Sequence, residues 1–583
     1  MRLKLFLTLL VTATVTMAAA TELIPTTNPR WGVYDMGKSH IITGIDLPSD
    51  VRSLCVVEAA NKENFLDAVP IAVVKGEKQA QVTVERSFRY VRAKSMYATV
   101  GEGLKIYGYE GENADAPLMQ ITNIPTVVIN TEEGYDPFDK ETDLVCNVFI
   151  ISNDGNDVLE AAATVRERGN ASRGFPKKPW RIKFDKKQNV LDAPCKAKKW
   201  TLINNYGDKT LMRNRLAFDI AEKMGMSYVP YCTFVDVVMN GDYKGTYQLC
   251  DQIEVREGRV NITEMTPDDN EGEALTGGYL FEVDAYAGGE GERYISTDHY
   301  YLPISLKSPD SEEATEEQWD YLTDYFNAAE REISACDTDP VTGYRRLFDT
   351  RSFIQHMLTN EMAGNTDAYW STYMYKDRNS PVIYTGPVWD FDLGFNNDNR
   401  TYPVPEKSGD GFLWNCGLAS SANGMLYFAQ RVLLKDPTTW AEIQEVWANA
   451  RDNEGLTAKW LIGQLDSYAK LIDASQKLNF TRWPILWEYV HQNPRAAGSY
   501  EGELQYVRDY IKEQMKHLDK VMDFVPKNEE PDDPEDPEDG ISTITTDAQT
   551  PSYFTLQGIR IAEPQRGDVV IRSVGGKSQK IVF

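Results

Sequence analysis

Three aspartates, Asp367, Asp390 and Asp392, stand at the two ends of a stretch that reads as one short β-hairpin. Between them, Thr372 to Tyr375 and Val382 to Trp389 are rich in Thr, Tyr, Val and Trp. They flank the turn-forming run Asp377-Arg378-Asn379-Ser380-Pro381, so two antiparallel strands are expected, with Asp367 and Asp390 at the same end of the ribbon. Phosphoryl transfer needs a group that orients a hydroxyl and hard oxygens that hold a divalent cation, and separated carboxylates can supply both. Alternation across Phe391 puts Asp392 on the side of Asp390, as a second ligand or a neighbour. The competing reading is turn chemistry, because Asp readily bonds its own backbone.

Other segments must position these groups. Arg168-Gly169-Asn170-Ala171-Ser172-Arg173-Gly174 can form a turn whose backbone N–H groups approach phosphates. In the strand that follows, Arg181 and Lys183 share one face, with Ile182 and Phe184 on the other, which makes a phosphate-facing Lys183 plausible. The alternative leaves Gly169 and Gly174 as loop punctuation and Lys177, Lys178 and Lys183 solvated. Asp208 is a good N-cap, Met212, Leu216, Ile220 and Met224 repeat every four residues, and Gly225 ends the pattern, so a core helix is predicted. Arg213 and Asn214 on that helix could reach the site or form a local pair. Tyr228 to Val238 and Gly245 to Ile253 read as a second hairpin about Asn240-Gly241, with Cys232 opposite Cys250 as two buried thiols or a cross-strand disulfide. Glu282 and Asp284 share a strand face and read as a solvated or structural pair.

Taken with Trp180-Arg181-Ile182-Lys183-Phe184, Lys199-Trp200-Thr201-Leu202, Asp208 to Asn214, Asn240 to Tyr247 and Gly277 to Asp284, these segments resemble the CotH kinase family, atypical kinases named after a spore-coat protein. In protein kinases a catalytic-loop Asp positions the acceptor, a hairpin follows, and a second Asp holds the metal; the order here agrees. The resemblance implies a kinase-like fold that binds ATP with Mg²⁺ or Mn²⁺ and phosphorylates protein hydroxyls. By position, Asp367 matches the catalytic aspartate and Asp390 the metal-binding one, with Asp392 beside it as the candidate second metal ligand; Arg168, Lys183 and Asp251 are the candidate nucleotide-binding residues. The chain departs from the family where Ser371-Thr372 replaces an Asn that often follows the catalytic Asp, and where Asp251 replaces Glu.

The whole chain of 583 residues carries a net charge of −27, and eight acids lie between Glu529 and Asp539. Nucleic acid is therefore a poor partner, since phosphate neutralisation needs a basic surface. Residues 1–20 read as a secretory signal peptide, with Arg2 and Lys4 before the apolar run Leu5 to Val15. No later run reaches the ~20 apolar residues of a membrane helix. Seven cysteines without a Cys-x-x-Cys pair argue against zinc and against a full disulfide framework. The five histidines are scattered and no Gly-x-Ser-x-Gly element occurs, so a serine-hydrolase triad gains nothing.

The expected fold class is α+β: a small β-sandwich over 21–125, an atypical kinase-like core with a helix-rich C-terminal lobe over 126–525, an acidic Pro-rich linker over 526–541 and a short β module over 542–583. Periodic runs predict helices at Glu316 to Ser334, Thr350 to Met362, Leu456 to Ser475 and Glu501 to Met522. Tyr553 to Arg560, followed by Gly575-Gly576-Lys577, resembles the C-terminal sorting tails of bacterial type IX secretion substrates, which implies a secreted or surface-attached protein. The function expected is transfer of the ATP γ-phosphoryl group to Ser or Thr of a protein. The alternatives are a surface adhesin or scaffold that keeps the kinase-like shell without turnover, and a metal-dependent phosphohydrolase.

Overall fold

The structure, a computed structural model, describes residues 20–26, 32–51, 53–95, 98–111, 116–339, 341–409, 411–413 and 436–527, and four strands beyond residue 550. The chain divides into two compact units, Met1–Val525 and Pro526–Phe583. Most of the signal peptide and acidic linker, Cys416, Gly558 and Gly575-Gly576 fall outside the described residues.

The strands of the first region are hydrogen-bonded into one antiparallel network. Its strands are β1 (Thr21–Leu23), β2 (Tyr34–Asp46), β3 (Leu54–Ala60), β4 (Val69–Lys75), β5 (Gln79–Gln81), β6 (Ser87–Ser95), β7 (Ala98–Thr99) and β8 (Lys105–Glu110). The main path runs β1-β8-β2-β6-β3-β4, with β5 beside β2 and β7 beside β6. A single sheet must still cover its apolar face. Here Val128, Phe149, Ile151, Val238, Tyr243 and Leu478, all from beyond residue 125, join its core. The next element thus packs against this region.

That element is a closed barrel of seven strands: β9 (Thr126–Thr131), β10 (Leu144–Ser152), β11 (Asp157–Glu167), β12 (Trp180–Gln188), β13 (Ala197–Ile203), β14 (Cys232–Met239) and β15 (Asp242–Asp251). All ladders are antiparallel except β9 with β14. Strand alternation accounts for the two-sided burial. Val127, Ile129, Val148 and Ile150 fill the barrel, while Val128, Phe149 and Ile151 point out into the first sheet. The hairpin about Asn240-Gly241 forms as read, with φ of 51° and 80° at the turn, and Cys232 is the cross-strand partner of Cys250. Both thiols are buried and free.

On β12, Ile182 and Phe184 enter the barrel core, so the face carrying Lys183 is the outer one and Lys183 is exposed. Lys177, by contrast, is fully buried: Nζ donates to Thr246 O (2.6 Å) and Asn479 Oδ1 (2.8 Å) and lies 4.5 Å over the Tyr247 ring. Burial of an ammonium without a carboxylate bonded to it pulls its pKa well down.

The helical part contains α1 (Arg213–Lys223), α2 (Glu316–Ala335), α3 (Thr350–Ala363), α4 (Pro437–Asp452), α5 (Ala458–Leu471), α6 (Asp473–Arg482) and α7 (Tyr500–Val521) among the described residues. Local caps set several starts: Thr315 and Gln318 form a capping box on α2, and Asp349, Thr457 and Ser499 accept from the first turns of α3, α5 and α7. The long run expected from Leu456 to Ser475 breaks at Ile472 into α5 and α6. Helix α1 begins later than expected. Asp208 does not cap it but accepts from Thr210 N and Arg213 N and pairs with the Arg213 guanidinium. A second sheet, ordered β17-β18-β16-β19-β20, contains β16 (Tyr279–Val283), β17 (Ile295–Ser296), β18 (Pro303–Ser308), β19 (Thr372–Lys376) and β20 (Tyr384–Thr385). It shares one large apolar core with α1–α5 and α7. No described helix is long and apolar enough to cross a membrane.

In the unit from Pro526 onward, Ser552–Phe554, Arg560–Ile561, Val569–Val574 and Lys577–Val582 form a four-stranded antiparallel sheet.

Candidate functional site

The predicted hairpin is present as β19 and β20, with Met374 opposite Thr385 and Tyr375 opposite Tyr384. Its second strand is short because Pro387, two residues past Thr385, has no N–H to continue the ladder. Upstream, α3 ends at Gly364 in the left-handed conformation (φ 63°), where glycine avoids the Cβ penalty. A 3-10 turn over Thr366–Tyr369 then carries Asp367.

Asn365 joins the two aspartate-bearing segments. Its Oδ1 accepts from Asp367 N (3.3 Å), and its Nδ2 donates to Asp390 O (3.0 Å). Asp390 itself has φ 63°, a conformation that Asp tolerates better than most residues. Buried amides and one guanidinium hold the turn that follows. Phe391 N donates to Asn214 Oδ1 (2.8 Å), Asn397 Nδ2 to Asp392 O (2.6 Å) and Arg213 Nε to Gly394 O (3.1 Å). Arg213 and Asn214 therefore act on the loop's backbone: the Arg213–Asp208 pair is local, and its guanidinium also fixes the turn.

These segments line one cleft of about 560 Å³. Asp367, Asp390 and Asp392 face it, together with Arg168 and the 169–172 turn on the barrel side. In that turn Gly169 has φ 83°, where a Cβ is strained, and a Cβ there would also stand 2.5 Å from Ser172 Oγ, so glycine is favoured. Arg168 lies over the Trp389 ring at 5.4 Å, which presents a cation beside Asp390. Also lining the cleft, Lys307 on β18 reaches Glu282 on β16 (3.0 Å) and Asp284 just past its end (3.5 Å). Burial lowers the Lys307 ammonium's pKa, but the two carboxylates outweigh it and keep the group charged; Glu282 is raised by its own burial. Arg400 also lines the cleft.

The two metal-candidate carboxylates are electrostatically crowded. Asp390 opens to the cleft but is ringed by protein, and that desolvation, then the charge of Asp367, raises its pKa. Asp392 is raised well above the ordinary carboxylate range by burial and by Asp390, Asp367 and Asp208. Neither has an ion-pair partner among the described residues. Two hard-oxygen donors whose charges repel fit a magnesium-sized ion, which keeps waters and takes further ligands from phosphates. Among the described residues, no group of three or more His, Cys, Asp or Glu side chains is arranged to hold a metal by itself.

Two of the residues carried over by resemblance are not brought to this cleft. Lys183 projects from the outer barrel face, as described above. Asp251 closes a buried cage: Oδ2 accepts from Tyr228 Oη (3.1 Å) and Tyr231 N (3.0 Å), and Oδ1 pairs with the Arg259 guanidinium (2.9 Å). Thr372 is also occupied, its hydroxyl donating to Ala368 O, whereas Ser371 lines the cleft. Sequence reasoning missed Asn365, Lys307 and Arg400. Only Asn365 left a local signal, as a capping-type residue directly after a helix-ending glycine.

A family model described as CotH kinase protein matches residues 165–518, more than half of the chain. The barrel starts at Thr126, so its first two strands and most of the third precede the match. Among curated proteins, none matches the chain.

Proposed function

Because the chain belongs to the CotH kinase family, we propose that it transfers the γ-phosphoryl group of ATP to a Ser or Thr hydroxyl of a protein. The observation that carries this reading is the convergence of Asp367, Asp390, Asp392 and Arg168 on one cleft. Asp390 and Asp392 would hold Mg²⁺ or Mn²⁺, which when bound neutralises charge on the nucleotide phosphates. Arg168, which lines the cleft beside Asp390, would attract the polyphosphate. Asp367 accepts the hydrogen bond of the acceptor hydroxyl and orients its oxygen at phosphorus. As that O–P bond forms, the bond from phosphorus to the β–γ bridging oxygen breaks, its electron pair leaves with ADP, and the hydroxyl proton passes to Asp367 and then to solvent.

Asp367→Asn is expected to abolish transfer while leaving nucleotide binding intact; undiminished transfer would overturn its role. A second reading, a scaffold without turnover, is favoured by one feature. The position after Asp367 that often supplies an amide ligand in the family is here Ser371, with Thr372 buried and bonded elsewhere. ATP binding without transfer to any acceptor would select it, and phosphate release without an acceptor would select the hydrolase. The same proposal has the protein exported by residues 1–20 and retained at the cell surface by its C-terminal module, which fractionation of cells and medium tests.

A further inference from the structure

Arg400 is held in the cleft by a device that a surface arginine does not need. Its Nε lies 3.0 Å from each Asp398 oxygen, its Nη2 lies 2.7 Å from Asp398 Oδ2, and its backbone N donates to Asp398 Oδ1 at 2.9 Å. Asp398 is fully buried, so this carboxylate fixes the plane of the guanidinium from behind. In front, Nη2 lies 2.8 Å from Asp367 Oδ1. Nη1 donates to nothing among the described residues, and 38% of the side chain remains open. A purely structural pair would be complete with Asp398 alone. The second link places the guanidinium beside the carboxylate that receives the acceptor hydroxyl, on a cleft that Asp390, Asp392 and Arg168 also line. With Oδ1 of Asp367 taken by Arg400, Oδ2 is left for the acceptor, so acceptor oxygen and guanidinium are neighbours.

We propose that Arg400 is the terminal-phosphate contact of this site: it binds the γ-phosphate of ATP and holds its oxygens while the phosphoryl group passes to the acceptor at Asp367. The inference rests on the kinase reading above. No bond to Arg400 forms and it moves no proton; it supplies a preorganised, permanently charged fork where negative charge is spread over three equatorial oxygens. Before nucleotide enters, Asp367 is its counter-ion.

The γ-phosphate is what distinguishes ATP from ADP, so the test compares their affinities for the full chain by calorimetry with Mg²⁺ present. Arg400→Lys keeps a partner for buried Asp398 but loses the fork. The double variant Arg400→Gln, Asp398→Asn removes both charges of the buried pair, so no lone carboxylate is left to unfold the loop. Wild type is expected to favour ATP over ADP. Both variants are expected to bind ADP as wild type does and ATP about 10- to 100-fold more weakly, the span of one charge-assisted contact. In transfer assays kcat is expected to fall by about 10³-fold or more, the range of a phosphoryl-stabilising arginine. An ATP-to-ADP ratio unchanged by either variant, or equal losses for both nucleotides, overturns the assignment while the kinase reading stands. A wild type that binds neither nucleotide overturns the kinase reading itself.

Discussion

Replacing Asp392 by Asn should make the ligand-free protein more stable and at the same time take away its response to magnesium and ATP. The side chain keeps its shape and loses one charge from a cluster in which Asp390, Asp367 and Asp208 all push its pKa up. At an effective dielectric of about 20, two unit charges about 4 Å apart cost about 4 kcal/mol. Proton sharing between Asp390 and Asp392 cancels much of that in the wild type, so the variant recovers about 1–2 kcal/mol. For a unit as large as Met1–Val525 this is a rise of about 1–2 °C in melting temperature. The sign follows from linkage. A carboxyl raised in the folded state penalises folding as pH rises from the ordinary carboxylate pKa towards its native one, so the variant's advantage should be present at pH 7 and shrink as the pH is lowered towards about 4. Ligand at about 100 times Kd should stabilise the wild type by about 2.7 kcal/mol, and Asp392→Asn by far less. Thermal melts in EDTA and in Mg²⁺ with ATP read both effects. A ligand-free variant that melts below wild type, or one that keeps the full ligand increment, would refute the reasoning.

Three further outcomes are expected. Asn365→Ala, which unties Asp367 from Asp390, should lower kcat by about 10²-fold, as sub-ångström to ångström misplacement does, with a smaller change in KM for ATP; steady-state kinetics would show it. His356 in α3 is pulled down to about 4 from 6.5 by burial, so the folded protein resists protonating it and stability is lost as pH falls from 6.5 towards 4, by about 3 kcal/mol at most. Denaturant melts of His356→Leu across that window should lack this part of the loss. Lys183→Ala should leave ATP affinity unchanged, since that side chain lies on the outer face of the barrel; a tenfold loss in titration would return it to the site.

What was legible in the chain was what its own neighbours decide. The 374–385 pairing, the Cys232–Cys250 register and the four-residue repeat of α1 follow from period, turn residues and glycine placement. The face of a strand that meets the cleft is not such a property. Alternation correctly put Lys183 opposite Ile182, but only barrel closure decides that the Lys183 face is outside. Asp208 had the chemistry of a cap, yet a buried guanidinium five residues on offered a better partner. Helix α4 was not anticipated, and the helix expected to run on from Leu456 is broken at Ile472. Lys307 and Arg400 meet their carboxylates across 25 and 33 residues of chain, respectively, a distance at which sequence spacing carries no geometric information. The hairpin that brings Asp367, Asp390 and Asp392 to one end was legible from its turn residues, whereas the side chain that ties its ends, Asn365, was not.

If Asp390 and Asp392 make this cleft a metal–nucleotide site, calorimetric titration of ATP into the mature chain, with and without Mg²⁺ and repeated on Asp390→Asn, should show metal-dependent binding that the substitution removes. A folded wild type that takes up no ATP in the presence of Mg²⁺ would rule that site out.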